Sequence, residues 1–240
     1  MRTATAQFSA LPGDVAANVA TMSSFVREAA ASGARLTVFA ELAVTGYELG
    51  LLAASPGLWT SGPDDPRLDP VREACRETGT AAVVNCASRG RLVTFVYGAD
   101  GAPLTTYAKR HLFEGERKVF AAGAAPGRCT FDGVRIALAT CFDNHFPELA
   151  REAVKDGCGL WLASSLYGTG GGEEERATVY PGLARDFGLP VVLANHVGRA
   201  GAWTGCGRSA VWGAGGELLA EAPADVPGLA VADVPVLRRS

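Results

Sequence analysis

The amino-acid sequence predicts an α/β fold in which helices cover β-sheets. Short apolar runs typical of buried strands recur along the chain, and segments with helix-capping residues separate several of them. The composition, with 48% apolar and 20% charged residues, is ordinary for a chain that buries a substantial core. No long linker, low-complexity tract or short repeat divides the 240 residues, so we expect a single domain over residues 1–240.

The first part of the chain predicts a strand, a helix and a second strand. Residues 2–8 alternate weakly in polarity, and Asp14 follows a turn at a position where it can cap a helix over residues 15–31. The apolar run 35–42 is typical of a buried strand. Residues 46–70 are rich in Gly, Pro and Ser, so we expect them to be mostly loop.

The middle of the chain predicts one helix and a meander of strands. Residues 70–79 begin with Pro and end with Gly, which is the asymmetry typical of a helix. Apolar runs joined by short glycine-containing turns follow, over residues 81–88, 91–98 and 103–109.

The rest of the chain alternates strands and helices twice. The first set is a strand over 134–140, a helix over 147–156 and a strand over 159–164. The second set is a helix over 173–187 that Pro181 kinks or splits, a strand over 190–198, a hairpin over 208–222 and a last strand over 228–234. This order of elements indicates layers of sheets covered by helices.

Charge and composition argue against several classes of function. A formal net charge of −3 gives no basic surface for nucleic acid or anionic lipid. No apolar run approaches the roughly 20 residues that cross a bilayer, and the N-terminus lacks the apolar core of a secretory signal. We therefore expect a cytoplasmic protein without membrane partners. The cysteines form no C-x-x-C pair and the histidines lack ligand spacing, so no metal site is predicted.

Three polar residues lie where predicted strands end. Cys141 directly follows the strand 134–140, while Glu41 and Lys109 stand near the ends of two earlier strands. Functional groups of α/β proteins gather at the carboxyl ends of strands, so a sheet can bring the three together. On the pattern alone, the alternative is that Glu41 and Lys109 are surface charges and Cys141 is a core thiol.

A cluster of these three residues would suit nucleophilic catalysis. A free thiol has a pKa of about 8.5 and needs a base or a nearby positive charge to react at neutral pH. Glu41 would accept the thiol proton, and Lys109 would stabilise the thiolate and then the oxyanion of a tetrahedral intermediate. The backbone N–H of Phe142, directly after Cys141, would contribute to the oxyanion hole.

The segments around these residues resemble the motifs of the nitrilase superfamily of carbon–nitrogen hydrolases. FAELAVTGYELG, YAKRHLFEGERKVFAAG and TCFDNHFPELAR resemble its three motifs in the same order and with matching gaps. The resemblance covers essentially the whole chain and implies a four-layer α-β-β-α sandwich. It implies Glu41 as general base, Lys109 as oxyanion stabiliser and Cys141 as nucleophile. A second glutamate often follows the lysine, and Glu116 matches it better than Glu114.

Further residues are candidates for the substrate pocket. Tyr47, His145 and Tyr167 could line it, although ordinary packing explains the two tyrosines equally well. His145 stands where one common form of the third motif has Arg, so an ion pair with Glu148 would need a protonated imidazole. A Cys141–His145 dyad is disfavoured, since the residues of such dyads are usually distant in sequence. The GTGGGEEER segment lacks the Lys of a phosphate-binding loop and could instead cover the pocket.

The resemblance implies hydrolysis of a non-peptide C–N bond in a small linear amide through a thioester intermediate. Water would be the second substrate, no metal or organic cofactor would be needed, and a homodimer or larger homo-oligomer is expected. The TGYELG and HLFEGER segments favour small-molecule amidases. N-carbamoyl amide hydrolysis is the nearest alternative, and nitrile hydrolysis is less favoured. A non-catalytic scaffold that binds a metabolite or partner is the alternative of a different class.

Overall fold

The computed structural model describes residues 1–236, which form two six-stranded sheets with helices on their outer faces. The elements in chain order are β1 (Arg2–Gln7), α1 (Val15–Ala31), β2 (Leu36–Phe39), α2 (Leu49–Ala54), α3 (Asp69–Thr78), β3 (Ala81–Ser88), β4 (Arg91–Tyr97), β5 (Pro103–Ala108), β6 (Gly127–Phe131), β7 (Val134–Thr140), α4 (Pro147–Lys155), β8 (Leu160–Ser165), α5 (Gly171–Phe187), β9 (Val191–Asn195), β10 (Val197–Ala200), β11 (Trp203–Cys206), β12 (Ala210–Trp212), β13 (Leu218–Glu221) and β14 (Gly228–Asp233).

The two large sheets have related topologies. The first has the strand order β14-β1-β2-β3-β4-β5, with β1, β2 and β3 parallel and the other neighbours antiparallel. The second has the order β13-β12-β9-β8-β7-β6, with β7, β8 and β9 parallel and the rest antiparallel. Each sheet therefore has a parallel centre, whose strand ends are the usual place for functional groups.

Successive side chains of the central strands point to opposite faces of their sheet, and this divides the core into layers. Leu36 and Val38 of β2 pack between the sheets against apolar side chains of β7 and β8, whereas Phe39 packs under α1 and α3. On the second sheet Leu162 faces inward, and Trp161 packs against α4 and α5. The order α1/α3, first sheet, second sheet, α4/α5 confirms the four-layer α-β-β-α sandwich.

Several boundaries differ from those expected. Residues 46–70 were expected to be mostly loop, but α2, two short 3-10 turns and the start of α3 occupy just over half of them. Pro181 does not split α5, which continues from Gly171 to Phe187, with Tyr180, Leu183 and Ala184 buried against the second sheet. The packing of these three buried residues offsets the loss of the helix hydrogen bond that proline removes.

Strand β6 was not expected, although the sequence carries a signal for it. Asp132 and Gly133 connect β6 to β7, and both have positive φ, at 50° and 74°. An Asp-Gly pair between apolar residues is the preferred two-residue hairpin turn. The small hairpin of β10 and β11 was also missed, because its second strand contains two exposed residues.

Candidate active site

The three strand-end residues lie in turns at one end of the sandwich. Lys109 directly follows β5, and Cys141 directly follows β7. Glu41 lies two residues beyond the end of β2, in a turn rather than in the expected strand. The next residue, Leu42, has a φ of 49°, which is uncommon for a residue with a side chain.

Lys109 is bound by two glutamates in an enclosed cluster. Its Nζ donates to Glu41 Oε1 at 2.7 Å and to Glu116 Oε1 at 2.8 Å, and all three side chains are fully buried. We call Glu41, Lys109 and Glu116 the lysine cluster. An ammonium has three N–H groups, so one of them remains for a further acceptor. A buried lysine between two carboxylates is costly to desolvate but stays charged.

Glu116 rather than Glu114 belongs to this cluster. The Tyr47 hydroxyl donates to Glu116 Oε1 at 2.8 Å, and the Phe113 N–H donates to its Oε2 at 2.9 Å. Glu114 is exposed. Each oxygen of Glu116 therefore accepts at least one hydrogen bond, which fixes the carboxylate against the lysine.

Glu41 is held through its backbone and leaves one carboxylate oxygen free. Asn85 Oδ1 accepts a hydrogen bond from the Leu42 N–H at 2.7 Å, and the His196 ring donates through Nε2 to the Glu41 carbonyl. Burial lowers the pKa of His196 to about 4, so this imidazole is neutral. Glu41 Oε2 is buried and has no hydrogen-bond partner within residues 1–236. That oxygen is available to accept a proton.

Cys141 opens a 3-10 turn with a φ of 44°, and two neighbouring polar side chains hold that turn. The Asp143 carboxylate accepts hydrogen bonds from the Thr140 N–H (3.0 Å) and the Tyr107 hydroxyl (2.6 Å). Asn144 Nδ2 donates to the Cys141 carbonyl at 2.7 Å. The thiol is thereby presented at a fixed position beyond the strand.

The electrostatics of the site keep the thiol protonated at rest. Burial and the Glu41 carboxylate raise the pKa of Cys141 well above its ordinary value, although Lys109 acts in the opposite direction. The thiol lies 3.5 Å from the Leu166 carbonyl, to which it can donate. Burial also raises the pKa of Glu41 to about 8. Burial alone would lower the pKa of Lys109. Glu41 and the other anionic groups around the lysine have the opposite and larger effect, so the pKa is raised above its ordinary value.

A pocket of about 220 Å³ opens beside the thiol. It is lined by Tyr47, Phe113, Glu116, Cys141, Phe142, His145, Leu166, Tyr167, Gly168, Gly172, Glu175 and Trp203. This volume is below the roughly 300–1,000 Å³ of pockets for drug-sized ligands, so the pocket suits a small molecule. Gly168, Gly172 and Glu175 of the glycine-rich GTGGGEEER segment are among these lining residues.

The pocket lining includes Tyr47, His145 and Tyr167, which are the three candidates for substrate contact. Phe142, whose backbone N–H is the candidate oxyanion donor, also lines it. His145 does not pair with Glu148: its Nε2 lies 2.9 Å from the Tyr167 hydroxyl and its Nδ1 lies 3.6 Å from Glu175. The Glu175 side chain and Trp203 are each 51% exposed, so they mark the opening of the pocket to solvent. We call these two residues and His145 the pocket mouth.

Several residues that shape the site were not predicted from the sequence. They are the positioning residues Asn85, Asp143, Asn144 and His196 and the lining residues Phe113, Leu166 and Glu175. Asp143 and Asn144 carried a weak signal, since polar residues directly after a nucleophile often support its turn. No described helix has the length and apolar character of a membrane span, and no three His, Cys, Asp or Glu side chains in residues 1–236 cluster as metal ligands.

Proteins of known class resemble the chain over nearly its whole length. A hydrolase of Mycobacterium tuberculosis is 31% identical over 93% of this chain and 85% of its own. An omega-amidase of Pongo abelii is 28% identical over 85% and 78%. The structure of an amidase from Nesterenkonia sp. AN1, of the nitrilase superfamily, superposes with a TM-score of 0.89 at 27% identity, covering 98% of this chain and 92% of that one.

The fold, the site and these similarities define a hydrolase that acts on C–N bonds other than peptide bonds. The model of the carbon-nitrogen hydrolase family matches residues 2–239, and the chain belongs to this family within the nitrilase superfamily. Related structures of the Nesterenkonia amidase hold acrylamide or butyramide, or carry the acetamide moiety of fluoroacetamide on the active-site cysteine.

Proposed function

We propose that the protein hydrolyses a small linear amide through a thioester on Cys141. The observation that carries this proposal is the buried contact of Lys109 with Glu41 and Glu116 beside a thiol that borders a small pocket. The arrangement supplies a nucleophile, a proton acceptor and an oxyanion donor in one enclosed place.

The first half of the reaction forms the thioester. The Cys141 thiol gives its proton to Glu41 Oε2 as the sulfur attacks the amide carbon. The remaining N–H of Lys109, together with the Phe142 N–H, stabilises the oxyanion. Glu41 then returns the proton to the amide nitrogen, the C–N bond breaks, and ammonia or an amine leaves.

The second half returns the enzyme to its starting state. Glu41 takes a proton from water, and the oxygen attacks the thioester carbon. The C–S bond breaks, the carboxylic acid leaves, and the proton on Glu41 restores the Cys141 thiol. Glu116 takes no proton in this scheme; with Tyr47 it holds Lys109 in position.

The raised pKa values suit this transfer of a single proton. A carboxyl with a pKa of about 8 is a stronger base than an ordinary glutamate, and its acid form is strong enough to protonate the leaving nitrogen. A permanently ionised thiolate is not required, because the thiol loses its proton during the attack.

A small amide is the substrate class that the pocket and the relatives support best. The pocket is small, and the Nesterenkonia amidase holds small linear amides. N-carbamoyl amide hydrolysis is the second candidate, since an N-carbamoylputrescine amidase of Arabidopsis thaliana is 26% identical over 87% of this chain and 78% of its own. Nitrile hydrolysis and a non-catalytic scaffold have less support.

The test is ammonia release from a panel of linear amides, N-carbamoyl amines and nitriles. We expect turnover of amides by the wild type and none by Cys141→Ala, whose melting temperature should stay close to that of the wild type. Cys129→Ala, which removes a buried core thiol, is the matched control and should retain turnover. Near wild-type rates in Cys141→Ala would contradict the thioester mechanism.

Two expectations about the whole molecule are part of this proposal. We propose that residues 1–240 form one carbon–nitrogen hydrolase domain and that the protein assembles as a homodimer or larger homo-oligomer, as the family resemblance implies. Size-exclusion chromatography with light scattering measures the second point directly, and a monomer at micromolar concentration would contradict it.

A further inference from the structure

The pocket lining carries carboxylates but no strongly basic side chain. Among the described residues that line it, the ionisable groups are Glu116, Glu175, His145, the Cys141 thiol and the phenols of Tyr47 and Tyr167, and none is a lysine or an arginine. Lys109 lies beneath this lining, where two carboxylates already bind it. A substrate with a negatively charged far end would therefore lose hydration without gaining a cationic partner, which is unfavourable.

Glu175 is the charged group best placed to contact a substrate. It lies on α5 and lines the pocket, with half of its side chain exposed. Its neighbours on the helix are engaged elsewhere, because Glu173 pairs with Arg208 at 2.6 Å and Arg176 pairs with Glu221 at 2.7 Å. Within residues 1–236, the basic side chain that contacts the Glu175 carboxylate is His145, whose Nδ1 lies at a long distance of 3.6 Å.

The pocket mouth also offers an aromatic surface. Trp203 lines the same pocket as Glu175 and is half exposed. An indole attracts a cation within about 6 Å of its centre, and the attraction adds to that of a nearby carboxylate. A carboxylate and an indole that share a small pocket thus favour a positively charged group.

Resting on the proposed amidase function, we propose that the pocket selects linear amides whose far end carries a positive charge, and that Glu175 is the specificity-determining residue that recognises it. The amide carbon lies at Cys141, and the ammonium at the other end donates hydrogen bonds to the Glu175 carboxylate. The volume of the pocket equals that of only about seven water molecules in the liquid. The chain between the amide and the ammonium must therefore be short.

The test compares three amides of similar size that differ in the charge of the far end. β-Alaninamide carries an ammonium, butyramide a methyl group and succinamate a carboxylate. At one pH, we expect kcat/KM to be highest for β-alaninamide and lowest for succinamate. The ratio of β-alaninamide to butyramide should be about fivefold, as expected for an ion pair that water partly screens. 4-Aminobutanamide extends the series by one methylene.

Two glutamate variants assign the effect to a residue. Glu175→Gln should lower the ratio of β-alaninamide to butyramide about fivefold, to near unity. Glu174→Gln removes the same charge from the next residue of α5, which is exposed and does not line the pocket, and should leave the ratio unchanged. A wild-type ratio of one or below, or an equal ratio in Glu175→Gln and the wild type, overturns the proposal.

Binding to Cys141→Ala separates this proposal from the proposed function. Calorimetry measures the Kd of each amide without turnover, and we expect tighter binding of β-alaninamide than of butyramide. If that preference is found but the wild type releases no ammonia from any amide, the amidase function fails and charge selection stands. Equal Kd values for the two amides overturn charge selection, whatever the turnover.

Discussion

The lysine cluster and the pocket mouth each place a basic side chain beside a carboxylate, but their surroundings differ. The three side chains of the cluster are fully buried, and Lys109 contacts both glutamates at 2.8 Å or less. At the mouth, Glu175 is half exposed and 3.6 Å from His145. Water screens charges at the mouth far more than in the cluster. The cluster can therefore change a reaction barrier by large factors, whereas the mouth discriminates between substrates by small ones.

The strongest test of this difference is to remove the charge of the cluster. Lys109→Met leaves two buried carboxylates without their partner, so we expect the free energy of unfolding to fall by about 3–5 kcal/mol. Loss of an oxyanion donor should also lower kcat by at least about a hundredfold. Urea denaturation and ammonia release measure the two effects.

Lys118→Met is the matched control for this experiment. Lys118 lies in the loop after Lys109 and is exposed, so its substitution should change neither quantity appreciably. Comparable losses in the two variants would show that the burial of Lys109 does not give it a special role.

The pH dependence of the rate tests the coupling within the cluster. The pKa of Glu41 is raised to about 8 by burial and, in part, by the Glu116 carboxylate. Because Glu41 must be unprotonated to act as a base, kcat/KM should fall about tenfold per pH unit below pH 8. Glu116→Gln removes a negative charge, lowers the pKa of Glu41 and should move this acid limb to lower pH.

Glu114→Gln provides the comparison for the pH experiment. It makes the same substitution at an exposed position of the same loop, so the acid limb should stay where it is in the wild type. Profiles of kcat/KM between pH 5 and 9.5 with butyramide distinguish the variants. An acid limb that Glu116→Gln leaves unmoved would rule out this electrostatic coupling.

The sequence predicted the residues of the cluster better than the shape of the turns that hold them. Lys109 and Cys141 directly follow strands because the apolar runs before them end there. Glu41 was expected within a strand, but β2 pairs for only four residues and the chain then turns through Leu42. The reason lies in Asn85, which accepts the Leu42 N–H from 43 residues away. A single sequence gives no sign of such a contact.

The pocket mouth was less predictable for a related reason. His145 was expected at the pocket from its position in a motif, whereas for Glu175 the sequence indicated only that its glycine-rich and acidic segment could cover the pocket. Which of three consecutive glutamates faces the pocket depends on how α5 docks on the second sheet. That docking is determined by the buried Tyr180, Leu183 and Ala184 further along the helix.

The smallest effects come from a matched pair of tyrosines, one in contact with each region. Tyr47 donates to the buried carboxylate of Glu116, while the Tyr167 hydroxyl lies 2.9 Å from the partly exposed imidazole of His145. Tyr47→Phe should cost about 1.5–3 kcal/mol of unfolding free energy, because a hydrogen bond to a buried charge is lost and water cannot replace it. Tyr167→Phe should cost about 1 kcal/mol or less, since water can reach the imidazole and the Tyr180 hydroxyl, its other partner, keeps its contact with Ser165.

The two variants should also differ in their kinetics. Tyr47→Phe loosens the carboxylate that holds Lys109, so it should lower kcat about tenfold, which corresponds to about 1.4 kcal/mol. Tyr167→Phe removes a hydroxyl that contacts His145 and Tyr180 but not the lysine cluster, so it should raise KM for butyramide about twofold with little change in kcat. Both variants delete one hydroxyl from a buried tyrosine, so their difference isolates the surroundings of the acceptor. Equal changes in kcat, KM and unfolding free energy would mean that burial of the lysine cluster does not separate it functionally from the pocket mouth.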